Sequence, residues 1–274
     1  MRRSLTVVIV FVSVITAMVI WWNIAIHRTE LPGSVAEYDQ VDALLTSLGP
    51  PMHNGVPERM QRLFPEGEAF SYALYGLANC NSARWCDHDL KLKRIDQARW
   101  ALNALESERV RGRFPELLPP EHGIFHAGWS AYLHGSILQT TGIEAISIEE
   151  RHAFIRRCDT IASTFIHAPT PFPESYNGMA WPADATVAMA ALALHDRILL
   201  DRFSDVRRTW VQHVRRSMGQ NKGVAHEWDP ETNSALREMR GSSLALMWLL
   251  LPEIDSTFAK EQFITFSGYF FDEI

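Results

Sequence analysis

Cysteine is scarce in this chain, and positive charge is outnumbered. Three cysteines occur in 274 residues, and 26 Lys and Arg face 32 Asp and Glu, for a formal net charge of −6. Phosphate recognition needs clustered Lys and Arg. The densest basic cluster, Lys91 to Arg94, is broken by Leu92 and reads as the solvated face of a helix, so no nucleic acid is expected as a partner. Paired metal-ligand spacing is also missing. Asp87, His88 and Asp89 follow Cys86, but no C-x₂₋₄-C or H-x₃₋₅-H pair lies beside them. Neither a metal nor a cofactor is expected. No low-complexity tract or interdomain linker interrupts the chain. With 47% hydrophobic and 21% charged residues the balance is globular, not that of a disordered polymer. Nine Trp and fourteen Phe favour an aromatic-rich interior or a lined cleft.

One long apolar run is present. Leu5 to Ile26 carries no charge, and its only polar members are Thr6, Ser13, Thr16 and Asn23. A hydrocarbon core of roughly 30 Å needs about 20 helical residues, so the run is long enough for a transmembrane helix. Trp21 and Trp22 suit the headgroup layer. Arg2 and Arg3 precede the run, while Arg28 alone follows closely, countered by Glu30. The excess of basic residues at the N-terminus places it in the cytoplasm. A cleaved signal peptide is the competing reading, but the segment is long for one and no small-x-small site follows the tryptophans. The expectation is a cytoplasmic N-terminus and single-pass anchor over residues 1–28, with the membrane as partner through residues 5–26. Residues 29–274 then form an extracytoplasmic domain on the inner or plasma membrane. Cys80 and Cys86 flank a polar stretch between two helical patterns, and a disulfide there suits an oxidising compartment. Cys158 stands alone on a helical segment and reads as a small buried residue.

Helical periodicity dominates the remainder, so the fold class is all-α. Val35 to Leu48 is helical and stops at Gly49-Pro50-Pro51. Gly67 to Ala78 and Leu90 to Leu105 form a hairpin, in which Ile95, Ala98, Leu102 and Leu105 share a face. Loops rich in proline cover Arg111 to Phe125 and Ala168 to Tyr176. Helices follow over His126 to Thr140 and Ile148 to Ile166, the latter opened by the Ser147/Glu150 capping box. The Ala- and Leu-rich segment after Asp184, to about Leu200, reads as a buried inner helix. Ser204 to Met218 is amphipathic and basic. Val224 to Met239 breaks the helical pattern, with turn chemistry at Asp229 to Asn233 that suits a β-hairpin. Two helices close the chain, Asp255 capping the second.

Three stretches together resemble one family. They are Gly123-Ile124-Phe125-His126-Ala127-Gly128-Trp129, the run from Ser175 to Asp184 containing Trp181-Pro182-Ala183-Asp184, and Arg240-Gly241-Ser242-Ser243 followed by Leu251-Pro252-Glu253-Ile254-Asp255. They are similar to the linalool dehydratase/isomerase-like proteins over roughly residues 60 to 274. The resemblance implies an (α/α) barrel or toroid of helical hairpins whose inner helix ends line a central cavity. It also implies cofactor-independent hydration, dehydration or isomerisation of a terpene alcohol. Roughly nine helices fall outside the apolar run, against about a dozen in a full ring, so a partial toroid, truncated at the C-terminus, is expected alongside the closed one.

Asp184 is the first candidate for chemistry, a general acid or base whose pKa a cavity would raise; the plainer reading is a helix cap. His126 could pair with it for proton transfer or serve as a hydrogen-bonded structural histidine. Trp129, Tyr176 and Trp181 are candidate cavity walls, or plain core. Arg240, with Ser242 and Ser243, could bind an anion or hydroxyl at a helix start, or cap it. The expected function is a membrane-anchored extracytoplasmic lyase or isomerase acting by acid–base chemistry on a small apolar or hydroxylated, terpenoid-like substrate. The alternatives are a non-catalytic envelope toroid that binds glycan or protein, and a glycan-processing enzyme needing a second carboxylate from Glu121, Glu174 or Glu227. Oligomeric state is not legible.

Overall fold

The computed structural model describes residues 2–26, 35–218 and 223–271, with side chains described over 10–24 and from residue 38 within those bounds. The chain divides into two units, Met1–Leu44 and Leu45–Ile274.

The first unit holds α1 (Arg2–Ile26) and the beginning of α2 (Val35–His53). The apolar run is helical. Among the described residues no helix is long and apolar enough to cross a membrane. This overturns the expected transmembrane helix, the membrane as partner through residues 5–26, and the single-pass inner- or plasma-membrane location with an extracytoplasmic domain. The side chains of Arg2, Arg3, Arg28 and Glu30, on which the orientation rested, lie outside the described residues.

The second unit is all-α apart from one short hairpin. Its inner row is α4 (Gly67–Ser82), α7 (Gly123–Thr141), α9 (Pro182–Ile198) and α11 (Gly241–Ile254), each packed on the next. Against this row lie α5 (His88–Leu105), α8 (Ile148–His167), α10 (Ser204–Ser217) and α12 (Ser256–Phe271). Short helices α3 (Val56–Met60) and α6 (Glu108–Arg111) and a single 3₁₀ turn, Ile143–Ala145, fill connections. Among the described residues no extensive helix packing returns from α11 or α12 to α4 or α5. The row stays open, which corrects the expected (α/α) barrel or toroid.

The inner row owes its closeness to small residues. Pro182 supplies the fixed φ favoured at a first helical position, and every residue of α9 from Pro182 to His195 is buried. Six of these are alanine, so neighbouring backbones approach closely. A Cβ at Gly128 of α7 would come within 3.1 Å of Ala188. The Ser147 hydroxyl accepts from the Glu150 N–H at 3.1 Å and starts α8, and Asp255 accepts from Phe258 N–H at 2.7 Å at the start of α12. The expected hairpin is present as β1 (Glu227–Asp229) paired antiparallel with β2 (Ser234–Arg237).

Two local expectations are corrected. Helix α2 does not stop at Gly49-Pro50-Pro51 but continues to His53 with both prolines inside it, and Asn54 N–H still donates to the Pro50 carbonyl at 3.0 Å. Cys80 and Cys86 are free thiols rather than a disulfide. Helix α4 runs on through Cys80 to Ser82, and Cys86 instead turns its Sγ to the Ser82 carbonyl at 3.3 Å. Burial pushes the Cys80 thiol up to about 12.

The loop before α9 is clamped to the start of α7. Gly123 has φ +78°, and a Cβ there would meet the Ser175 carbonyl oxygen at 2.4 Å, while Ile124 N–H donates to the Glu174 carbonyl at 2.9 Å. Gly123→Ala should therefore lower stability by about 2–4 kcal/mol through left-handed strain and backbone collision. Urea unfolding measures it, and an unchanged midpoint would contradict the clamp.

Candidate functional site

The N-terminal ends of all four inner helices open onto one cavity of about 520 Å³. Helix α4 brings Glu66 and Phe70, α7 brings Phe125, α9 brings Trp181, Ala183 and Asp184, and α11 brings Arg240, Ser242, Ser243 and Leu246; Phe64 and His226 complete the lining. The volume lies within the range of about 300–1,000 Å³ usual for small-molecule sites. Helix starts expose unpaired N–H groups and the positive end of the macrodipole, so the backbone here favours negative charge.

Asp184 is only 7% exposed. It does not cap α9: Trp181 occupies that position and no side chain caps the helix. Its Oδ2 accepts from the Ser175 hydroxyl at 2.6 Å, and Ser175 is fully buried. Burial pushes Asp184 up to about 7, the Ser175 hydrogen bond pulls it down, and the charge of Glu66 pushes it further up. Neither Asp184 nor Glu66 takes an ion pair among the described residues.

Across α11 the chemistry is different. Arg240 is exposed and precedes the helix. Its Nη1 stands 3.4 Å from His226 Nε2, and Ser243 Oγ lies 2.7 Å from His226 Nδ1. A guanidinium only donates, so Nε2 accepts and Nδ1–H donates to Ser243. Burial and the Arg240 charge hold the imidazole below its usual range, consistent with a neutral ring. The Ser243 O–H is left to donate to a ligand rather than to lose its proton to His226.

The other candidates fall around this cavity in distinct places. Trp181 lines it. Tyr176 packs edge-on against Trp181 at 6.0 Å, and burial and the nearby charge of Glu66 raise its phenol strongly. Trp129 is one layer back, its ring against Phe70 at 5.3 Å and Phe125 at 6.4 Å. His126 does not line the cavity. Its Nε2 donates to the Leu105 carbonyl at 3.1 Å, its ring lies against Phe114, and burial holds it below the usual imidazole range although Glu106 pulls the other way. Glu106 in turn takes both Arg157 nitrogens at 2.8 Å; burial alone would raise it, but the guanidinium prevails and holds it at about 2. Glu66, Ser175, Phe64, Phe70 and Phe125 escaped sequence reading. Glu66 carried one usable signal, its position directly before the Gly67 helix start.

A larger cavity of about 660 Å³ runs along α8 and Pro119, Pro120, Pro169 and Pro173. Its polar groups are already engaged: Thr164 donates to Thr160, Thr170 to Phe172, and Asp159 pairs with Arg202. None of Glu121, Glu174 and Glu227 lines the Asp184 cavity, where the second carboxyl is Glu66. Among the described residues no group of three His, Cys, Asp or Glu side chains is placed to hold a metal.

No family model matches the chain, and no curated protein matches it. The expected membrane-anchored lyase or isomerase acting on a terpenoid-like substrate is corrected on these findings. Its anchor and its ring are not seen among the described residues, and no relative supports the chemistry. The envelope-toroid and glycan-processing alternatives lose the same two supports.

The Asp184 carboxyl gives a pH signature. Because it binds its proton more tightly folded than unfolded, stability falls as pH rises from about 4 to about 7, by roughly 3–5 kcal/mol in total. Asp184→Asn removes this penalty, so its unfolding midpoint should gain on wild type steadily between about pH 4.5 and 7.5. Parallel pH profiles for the two proteins would show an ordinary carboxylate.

Proposed function

We propose that the protein binds a small organic acid with an apolar body in the cavity at the inner helix starts. The observation that carries this reading is Arg240, with the Ser243 hydroxyl and the first N–H groups of α11, set in one cavity with the rings of Phe64, Phe70, Phe125 and Trp181. A guanidinium and oriented N–H groups bind a carboxylate with charge-assisted hydrogen bonds, while the rings take up the body and exclude water. Tyr176 and Trp129 hold the walls from behind. His126 serves the packing between α5 and α7 rather than the ligand, and Asp184 offers a hydroxyl donor while protonated.

Thermal unfolding of the full chain with 3-phenylpropionate and with neutral 3-phenylpropanol tests this. The acid should raise the midpoint and the alcohol should not. Arg240→Gln should weaken the acid by at least about tenfold, the loss of a charge-assisted contact. Equal shifts by acid and alcohol, or an unaffected Arg240→Gln variant, would contradict the reading.

A further inference from the structure

The cavity holds two carboxyl groups besides the cationic group at the start of α11. Glu66 and Asp184 line it together, near enough for the charge of one to act on the other. Asp184 spends Oδ2 on Ser175, and its other oxygen takes no hydrogen bond among the described residues although the side chain is 93% buried. Among the described residues Arg240 is the only Lys or Arg in the lining, and it contacts His226 at the start of α11 without forming an ion pair with either acid. Two carboxyls lining one cavity without a counter-cation offer a ligand cation its counter-charge. A metal ion fits poorly, since no third His, Cys, Asp or Glu is placed with them among the described residues. An ammonium fits well: it is compact, donates three hydrogen bonds, and can divide them between Glu66 and the spare Asp184 oxygen.

Resting on the organic-acid reading above, we infer that the ligand is a zwitterion of the α-amino-acid class with a large apolar side chain, its ammonium held between Glu66 and Asp184 and its carboxylate held by Arg240 and Ser243. The ammonium and carboxylate, carried on one carbon, then select together against molecules bearing only one of them. The four rings select for an apolar, preferably aromatic, side chain, and a volume of about 520 Å³ accommodates one such molecule. The raised Asp184 carboxyl agrees with this, since a cation beside it would restore its ionised form.

Calorimetric titration of the full chain with L-phenylalanine, 3-phenylpropionate and 2-phenylethylamine separates the two ends. L-Phenylalanine should bind at least about tenfold more tightly than either half-ligand. In Glu66→Gln the preference should disappear, L-phenylalanine binding no more tightly than 3-phenylpropionate does to the same variant. Binding of 3-phenylpropionate as tight as L-phenylalanine would overturn the zwitterion and leave the organic-acid reading standing. Tightest binding by 2-phenylethylamine, or no binding by any of the three, would overturn both. The wild-type series decides the matter even if the variant does not fold.

Discussion

Gly128 of α7 and Ala188 of α9 approach so closely that one added carbon would bring 3.1 Å contacts with both backbone and side chain. This close approach of two inner helices orders the rest of the second unit. It is available because α9 is buried along nearly its whole length yet carries six alanines. Such a helix gains little from any single side chain and much from dense packing on every side. Once α7 and α9 lie together, the clamp between Gly123 and Ser175 brings the Ser175 loop to the start of α7. The same loop delivers the hydroxyl that Asp184 accepts. Packing and site are therefore joined through one short segment.

The electrostatics follow from that arrangement. Four helix starts around one cavity supply a field that favours anions, yet two of the lining side chains are acids. These influences oppose each other at Asp184, where burial and Glu66 raise the carboxyl while the hydrogen bond from Ser175 lowers it. Arg240 and His226 add positive and neutral donor character at α11. The result is a cavity that holds acidic and basic groups beside aromatic rings, which suits a ligand carrying both charges better than one carrying either.

Much of the helical order could be read from the chain because it depends on local signals. The Ser147 and Asp255 caps, the buried Ala-rich helix after Asp184 and the turn at Asp229 to Asn233 are short-range features, and all are present. Closure of a ring is not local. It depends on whether the first and last helices meet, and no periodicity within α4 or α11 reports that. Pro50 and Pro51 misled because a helix already formed can accept them where lost N–H donors are few. The site was legible in part: Trp181, Asp184 and Arg240 fall in one cavity, each at a helix start. Glu66 and Phe70 could not be assigned to it, because their approach to α9 and α11 is set by tertiary packing. His126 misled for the opposite reason. It is next to Phe125, which lines the cavity, but one position along a helix turns a side chain by about 100°, and its ring instead meets Phe114 and the Leu105 carbonyl.

The central claim is that the packed helix starts hold Asp184 in a buried, partly neutral state beside Glu66. A carbon-13 NMR titration of the Asp184 carboxyl measures this directly in the folded protein. The account predicts a midpoint near 7 that falls in Glu66→Gln. A midpoint in the ordinary range near about 4, unmoved by that substitution, would contradict it.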